Sequence, residues 1–140
     1  MIIIDAQDMI AGRLATFAAK QAMLGHEVRV VNSEKAVISG KKQVVFDDFL
    51  HRIHMGTPRK GPFIQRMPDR LLRRIIRGMM PYDKPRGKEA FSRVLCYIGV
   101  PEEFAGKELV KYESANKSKL PNYQYVTLYD LAKRIGAKVE

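Results

Sequence analysis

Asp47-Asp48 and the Asp5/Asp8 pair are carboxylates close enough in sequence to hold a divalent ion for phosphodiester cleavage. Adjacent residues on a helix point about 100° apart, so Asp47 and Asp48 do not converge on one ion and read as a solvated face. His51 and His54 are three apart and share a face, but no third metal ligand follows at a recognisable spacing. Ser39–Lys42 (SGKK) looks like the end of a triphosphate loop. Yet the position that should be its first glycine is Lys35, and the one that should carry the Mg²⁺-binding hydroxyl is Lys42. Asp5–Gly12 (DAQDMIAG) holds one glycine where a dinucleotide turn needs two close together. Cys96, the single cysteine, sits between Leu95 and Tyr97 as a small core residue would. It leaves no partner for an intrachain disulfide and excludes zinc sites built on two or more thiolates. No catalytic constellation assembles, and neither a cofactor nor a small-molecule substrate is expected.

What the sequence does hold in quantity is cationic side chains. The 140 residues carry 25 Lys+Arg against 15 Asp+Glu, a formal net charge of +10. Twelve of the basic residues lie between Arg52 and Arg93 with only Asp69, Asp83 and Glu89 among them, so this stretch of 42 residues carries +9. The other 98 residues hold 13 basic and 12 acidic side chains and read as a conventional domain. Nine of the twelve are arginine, whose planar fork makes bidentate contacts to phosphate and stacks on bases, so the partner indicated is a nucleic acid. The apolar run Met1–Ile4 stops at Asp5, short of the roughly 7–15 residues of a signal-peptide core or the ~20 of a membrane helix. A soluble protein of a reducing compartment, without a membrane partner, is expected. With 46% hydrophobic residues the chain has material for one core.

The elements that must position these cations can be read from periodicity. Met1–Asp5 predicts a strand, Gly12–Leu24 a helix stopped by Gly25, His26–Ser33 a second strand and Ala36–Ser39 a short third. The order β, α, β is the germ of a parallel, helix-covered sheet. Lys41–Met55 places Val45, Phe49 and Ile53 at intervals of four and predicts a helix. Gly56–Pro68, with two glycines and three prolines, predicts an extended basic loop. Asp69–Met80 is the clearest helix. Arg70, Arg73, Arg74 and Arg77 fall within an arc of about 100°, opposite Leu71, Leu72, Ile75, Ile76 and Met79. Tyr82–Lys88 predicts another basic loop, Leu95–Val100 a buried strand, and Lys107–Tyr125 an irregular stretch. Thr127 with Asp130 has a capping-box pattern that opens a helix running to Ile135. Two residues carry double readings. Phe63 either pins its loop to the core or wedges against a base, and His54 either meets RNA or is ordinary surface.

Three ordered motifs give a resemblance. Ile4-Asp5-Ala6 followed by Gly12-Arg13-Leu14-Ala15-Thr16, the segment Val30–Lys42 (VVNSEKAVISGKK), and Arg74–Pro81 followed by KPRGKEAFSRVLCYIGVP together resemble the universal large-subunit ribosomal protein family thirteen. The compact form with an extra C-terminal helix is similar to its archaeal/eukaryotic branch. The match runs from about Ile3 to Pro101 and is weaker after Gly106.

The resemblance implies a small three-layer α/β/α domain with a parallel four-stranded sheet, basic loops and a C-terminal helix. The whole chain, 1–140, would be one ribosomal-protein domain with 107–140 as a C-terminal extension. It also implies no enzymatic activity, direct binding to large-subunit ribosomal RNA, neighbouring large-subunit proteins as partners, an early role in subunit assembly, and a place on the cytoplasmic ribosome. The RNA-contacting positions expected are Lys41, Lys42, Arg52, His54, Arg59, Lys60, Arg66, Arg70, Arg73, Arg74, Arg77, Lys84, Arg86, Lys88 and Arg93.

Two other classes compete. A free-standing RNA-modifying or RNA-processing enzyme requires the convergent cluster that is missing above. A sequence-specific DNA regulator requires a recognition helix with Asn or Gln for base edges, which the uniform arginine face does not offer.

Overall fold

The structure, a computed structural model, describes residues 1–139. Strand β1 (Ile2–Asp5) leads into helix α1 (Ala11–Met23) and returns as β2 (Val28–Val31), parallel to β1 in the register Ile2↔Val28 to Asp5↔Val31. After β2 come β3 (Val37–Ser39), α2 (Lys42–His54), α3 (Pro68–Arg77) and α4 (Pro85–Ser92). Strand β4 (Val94–Cys96) then pairs parallel to β2. The chain closes with β5 (Tyr125–Thr127) and α5 (Leu128–Arg134).

Alternation along the strands sorts the sheet's two faces. Ile4, Val28, Val30 and Val94 are buried in a core shared with Leu14, Ala15, Ala18 and Ala22 of α1, Leu71, Leu72 and Ile76 of α3, and Ala90 of α4. Alanines along α1 let it lie close to its neighbours, and α1 packs on both α3 and α4. On the opposite face Ile3 and Val31 form a smaller cluster with Phe104, against which Tyr97 and Leu109 pack.

The α/β class is the one expected, but the sheet differs from four parallel strands in one layer of three. Three strands are parallel in the order β1-β2-β4, and β3 instead pairs antiparallel with β5 through Val37↔Thr127, Ile38↔Val126 and Ser39↔Tyr125. The reason is chain length. Only Asn32–Ala36 separate β2 from β3, whereas a parallel return needs a crossover of a dozen or so residues. On the free edge of β1 a fourth parallel position is filled by one bridge, Ile4↔Val110, with the Val110 amide donating to the Ile3 carbonyl at 2.8 Å. The second helical layer is likewise reduced: a 3-10 turn, Glu102–Phe104, covers Ile3 and Val31. That face also carries Arg29 and the exposed Leu95, so little apolar area asks for cover.

Two further expectations change. The segment read as the basic loop Tyr82–Lys88 contains the start of α4, because Pro85 stands at the first helical position, where its missing N–H costs nothing. Gly87 is required there by contact, since a Cβ would run into the Pro81 carbonyl. The buried strand expected over Leu95–Val100 is confined to Val94–Cys96, and Leu95, Ile98 and Val100 are exposed at the sheet's open edge. Segment 107–140 carries buried Ala115, Val126, Leu128, Leu131, Ala132 and Ile135 into the main core. Thr127 caps α5 as its pattern implies, its hydroxyl accepting from the Asp130 amide at 3.2 Å. No described helix is long and apolar enough to cross a membrane.

Candidate nucleic-acid interface

Helix α3 runs from Pro68 to Arg77, short of the expected Met80, and presents two faces, although Met79, expected on the apolar one, is exposed beyond the helix end. Leu71, Leu72 and Ile76 are buried, Ile75 is half-buried, and the arginines lie opposite. Those arginines are not equivalent. Arg70 and Arg74 are exposed. Arg73 is half-buried and donates from Nε to the Val94 carbonyl at 2.8 Å and from Nη2 to the Phe91 carbonyl at 3.3 Å, with its guanidinium 4.0 Å above the Phe91 ring. Arg77 lies 3.9 Å over the Tyr82 ring, its Nε buried without a hydrogen-bond partner. Tyr82 and Phe91 meet edge-to-face at 5.5 Å. Together with Gln65 these side chains line a concavity of about 290 Å³ in which four guanidinium groups meet two aromatic rings.

Beside it, loop 56–66 is built as a tight turn. The Gly61 amide donates to the Thr57 carbonyl at 3.0 Å, and the Lys60 amide to the Thr57 hydroxyl at 3.2 Å. Gly56 adopts φ +72°, and a Cβ on it would collide with the Gly61 carbonyl, so glycine is needed on both counts. The turn holds Arg59 and Lys60 outward. Phe63 is 74% exposed, so the reading in which it pins the loop to the core does not hold. His54, at the end of α2, and Arg66 line a second concavity with Phe63.

The remaining expected positions fall into four places. Lys84, Arg86 and Lys88 are exposed at the start of α4. Lys41 and Lys42 are exposed at the start of α2, and Lys42 shares a cavity with Asp130, Lys133 and Arg134 of α5. Lys133 and Arg134 are additional cations on this side, with no local sequence pattern to mark them. They read there as ordinary residues of a helix's last turn, and only the packing of α2 on α5 places them beside Lys42. Tyr123 and Tyr125, exposed next to Lys41, were missed for the same reason. Arg52 pairs with Asp48 at 2.9 Å and lies 5.0 Å from the Phe49 ring. Arg93 turns inward, donating from Nη1 to the Ala22 carbonyl at 2.9 Å near the end of α1.

Among the described residues, no carboxylate lies within ion-pair distance of Arg59, Lys60, Arg66, Arg70, Arg74, Lys84, Arg86 or Lys88. Such a surface attracts polyanions because none of its charge is neutralised internally. Asp69, Asp83 and Glu89 lie within this segment but pair with none of these cations, and three other carboxylates are engaged elsewhere. Asp5 is buried and accepts from the Asn32 side-chain amide and the Gln7 backbone amide, both at 3.0 Å, with Lys111 3.6 Å away. Asp8 pairs with Lys117 at 3.2 Å, and Asp47 accepts from Gln43 at 2.9 Å. No group of three or more His, Cys, Asp or Glu is arranged to hold a metal ion among the described residues. Burial pushes the Cys96 thiol up to about 12; the Arg73 charge offsets part of that and Asp69 adds to it, so the sulfur stays protonated and a poor nucleophile.

The family model for ribosomal protein L13 matches residues 1–103. The chain belongs to that family. Its archaeal relatives are similar over almost their whole length. "Large ribosomal subunit protein uL13" of Methanococcoides burtonii is 44% identical over 138 residues, covering 99% of each chain. The protein of the same name from Methanopyrus kandleri is 43% identical, covering 96% of this chain and 86% of its own. That of Methanocaldococcus jannaschii is 40% identical, covering 99% of each. The matched family segment contains β1 to β4, the turn at 56–66, the arginine helix and α4, while Lys133 and Arg134 of α5 lie outside it.

Proposed function

We propose that this chain is a structural constituent of the large ribosomal subunit that binds large-subunit ribosomal RNA, supports early subunit assembly, and works on the cytoplasmic ribosome without catalysing a reaction. The observation that carries the reading is the set of exposed cations on loop 56–66, α3 and the start of α4 with no acidic partner among the described residues. A surface of this kind meets successive phosphates of a folded strand, and each contact releases condensed counterions. Arg59, Lys60, Arg66, Arg70, Arg74, Lys84, Arg86 and Lys88 are the contacts we assign first, joined by Lys41 and Lys42 on the α2–α5 side. Arg52 and His54 lie at the margin. Arg73, Arg77 and Arg93 contribute by holding the surface in shape, and any RNA contact of theirs uses the donors left free. Neighbouring large-subunit proteins complete the set of partners.

Sedimentation of a native lysate tests the assignment: the chain co-migrates with the large subunit, and its accumulation at the top of the gradient would overturn it. Titration of purified protein onto large-subunit RNA gives a second measure. At least four to six of these cations engaged at once, at about 0.7–0.9 each, predict a slope of log affinity against log salt of roughly 3–5 or steeper. A slope shallower than about two means that the cations mostly face water.

A further inference from the structure

Loop 56–66 carries a feature that phosphate binding does not use. Phe63 is 74% and Met55 48% exposed, although large apolar side chains ordinarily bury. They line one side of an open cavity of about 550 Å³, in which Pro62 and Ile64 add apolar wall and His54 and Arg66 add donors. The cavity is shaped in advance. Thr57 and Pro58 of the hydrogen-bonded Thr57–Gly61 turn form part of its wall, and the Phe63 ring packs against the backbone of Gly61 so closely that a Cβ there would lie 3.1 Å from it. No acidic residue lines it, and Arg66 is its one permanently charged lining residue.

An aromatic ring offered to solvent beside cations matches one kind of ligand, a nucleobase taken out of its stack, which has an apolar face for the ring and a phosphate for the cations. An apolar protein partner would not require cations at the rim. We propose that the cavity between the end of α2 and loop 56–66 receives a single unstacked nucleotide of a bulge or loop in large-subunit RNA, its base on Phe63 and its phosphate or base edge on Arg66 and His54. A base inside a regular duplex cannot reach the ring, so the site selects unpaired nucleotides and adds shape recognition to the phosphate contacts. This inference rests on the RNA-binding reading above.

The experiment uses the full chain and transcribed large-subunit RNA at fixed salt, comparing wild type, Phe63→Ala, Phe63→Trp and Lys60→Gln by affinity and by nucleotide-resolved chemical modification of base edges. The exposed ring leaves all four proteins folded, which melting curves check. Loss of one base–aromatic stack predicts about 5- to 100-fold weaker binding for Phe63→Ala. It also predicts that one or a few unpaired bases shielded by wild type become reactive, and that Phe63→Trp restores both. Lys60→Gln lowers the salt slope and leaves the base pattern unchanged. Phe63→Ala binding within twofold of wild type, or a loss that Trp does not restore and no base registers, overturns the inference while the phosphate surface stands. Failure of wild type to bind the RNA at all overturns both.

Discussion

Helix α3 and loop 56–66 lie next to each other, and both are rich in arginine or lysine, but they use charge differently. On α3 two of four arginines are committed to the fold: Arg73 satisfies carbonyls of β4 and α4, and Arg77 covers Tyr82. On the loop Arg59, Lys60 and Arg66 are exposed, and the turn is held by backbone and hydroxyl hydrogen bonds that involve no charge. The contrast shows that a cationic stripe on a helix is not a count of ligand contacts. A helix must pack, and its flanking long side chains are drawn onto unsatisfied carbonyls and aromatic rings at the margin of the core. A turn that packs on little keeps its charges for solvent or a ligand.

Substitutions on the two elements should separate folding from binding. The largest effect is expected on the packed side of α3. Ile76 is fully buried, and Ile76→Ala should lower stability by about 2–5 kcal/mol by opening a cavity. Half-buried Ile75 should cost less when truncated, and Phe63→Ala in the loop should leave the melt within ~0.5 kcal/mol. Chemical denaturation of the three variants ranks them, and a silent Ile76→Ala would show the helix to be held otherwise.

Next comes the committed arginine. Arg73→Gln removes two charged hydrogen bonds and a ring contact and should cost about 1–3 kcal/mol, visible as a melting temperature several degrees lower. Arg74→Gln, one residue along the helix, should change stability by no more than about 0.5 kcal/mol. Equal effects at 73 and 74 would erase the distinction drawn here. A Gln substitution across all four arginines is therefore not a clean test of binding, because part of what it removes is structure.

On the loop the expected change is in binding and not in folding. The triple variant Arg59→Gln, Lys60→Gln, Arg66→Gln should keep the melting temperature and reduce the salt slope for large-subunit RNA by about 2–3. An unchanged slope would move the contacts onto the helices.

The smallest effect is a lack of reaction. Cys96 belongs to the edge strand beneath Arg73, and its thiol is pushed from 9.0 up to about 12. At pH 8 a disulfide reagent should modify the native protein slowly and the unfolded chain quickly. The sign for stability follows: the unfolded chain releases this proton from about pH 9 and the folded chain only near 12, so its contribution is complete below 9 and is lost as pH rises toward 12. Rapid modification of the native protein would show that the site opens.

Legibility in the sequence tracked how local each cause was. Helix α3 was readable because Leu71, Leu72 and Ile76 repeat at helical spacing with arginines between them, and the α5 cap because Thr127 and Asp130 are three apart. Helix α4 was hidden behind Pro85 and Gly87, which signal a loop unless the proline is recognised as a first helical residue and the glycine as a point of close contact. The antiparallel pairing of β3 was within reach of the sequence, since five residues cannot make a parallel return; its partner β5, nearly ninety residues on, was not.

By itself the sequence determined the α/β class, the concentration of positive charge between Arg52 and Arg93, the two faces of α3, and the lack of spacing for a phosphate loop or thiolate metal site. Each follows from periodicity, composition or distance along the chain. Which cations remain free was decided only by tertiary structure. Arg73 is occupied by carbonyls 18 and 21 residues away and Arg93 by one 71 residues away, while Lys42 acquires Lys133 and Arg134 as neighbours across two helices. A guanidinium takes whichever acceptor folding brings within about 3 Å, and that depends on the packing of distant elements, which local side-chain order does not encode.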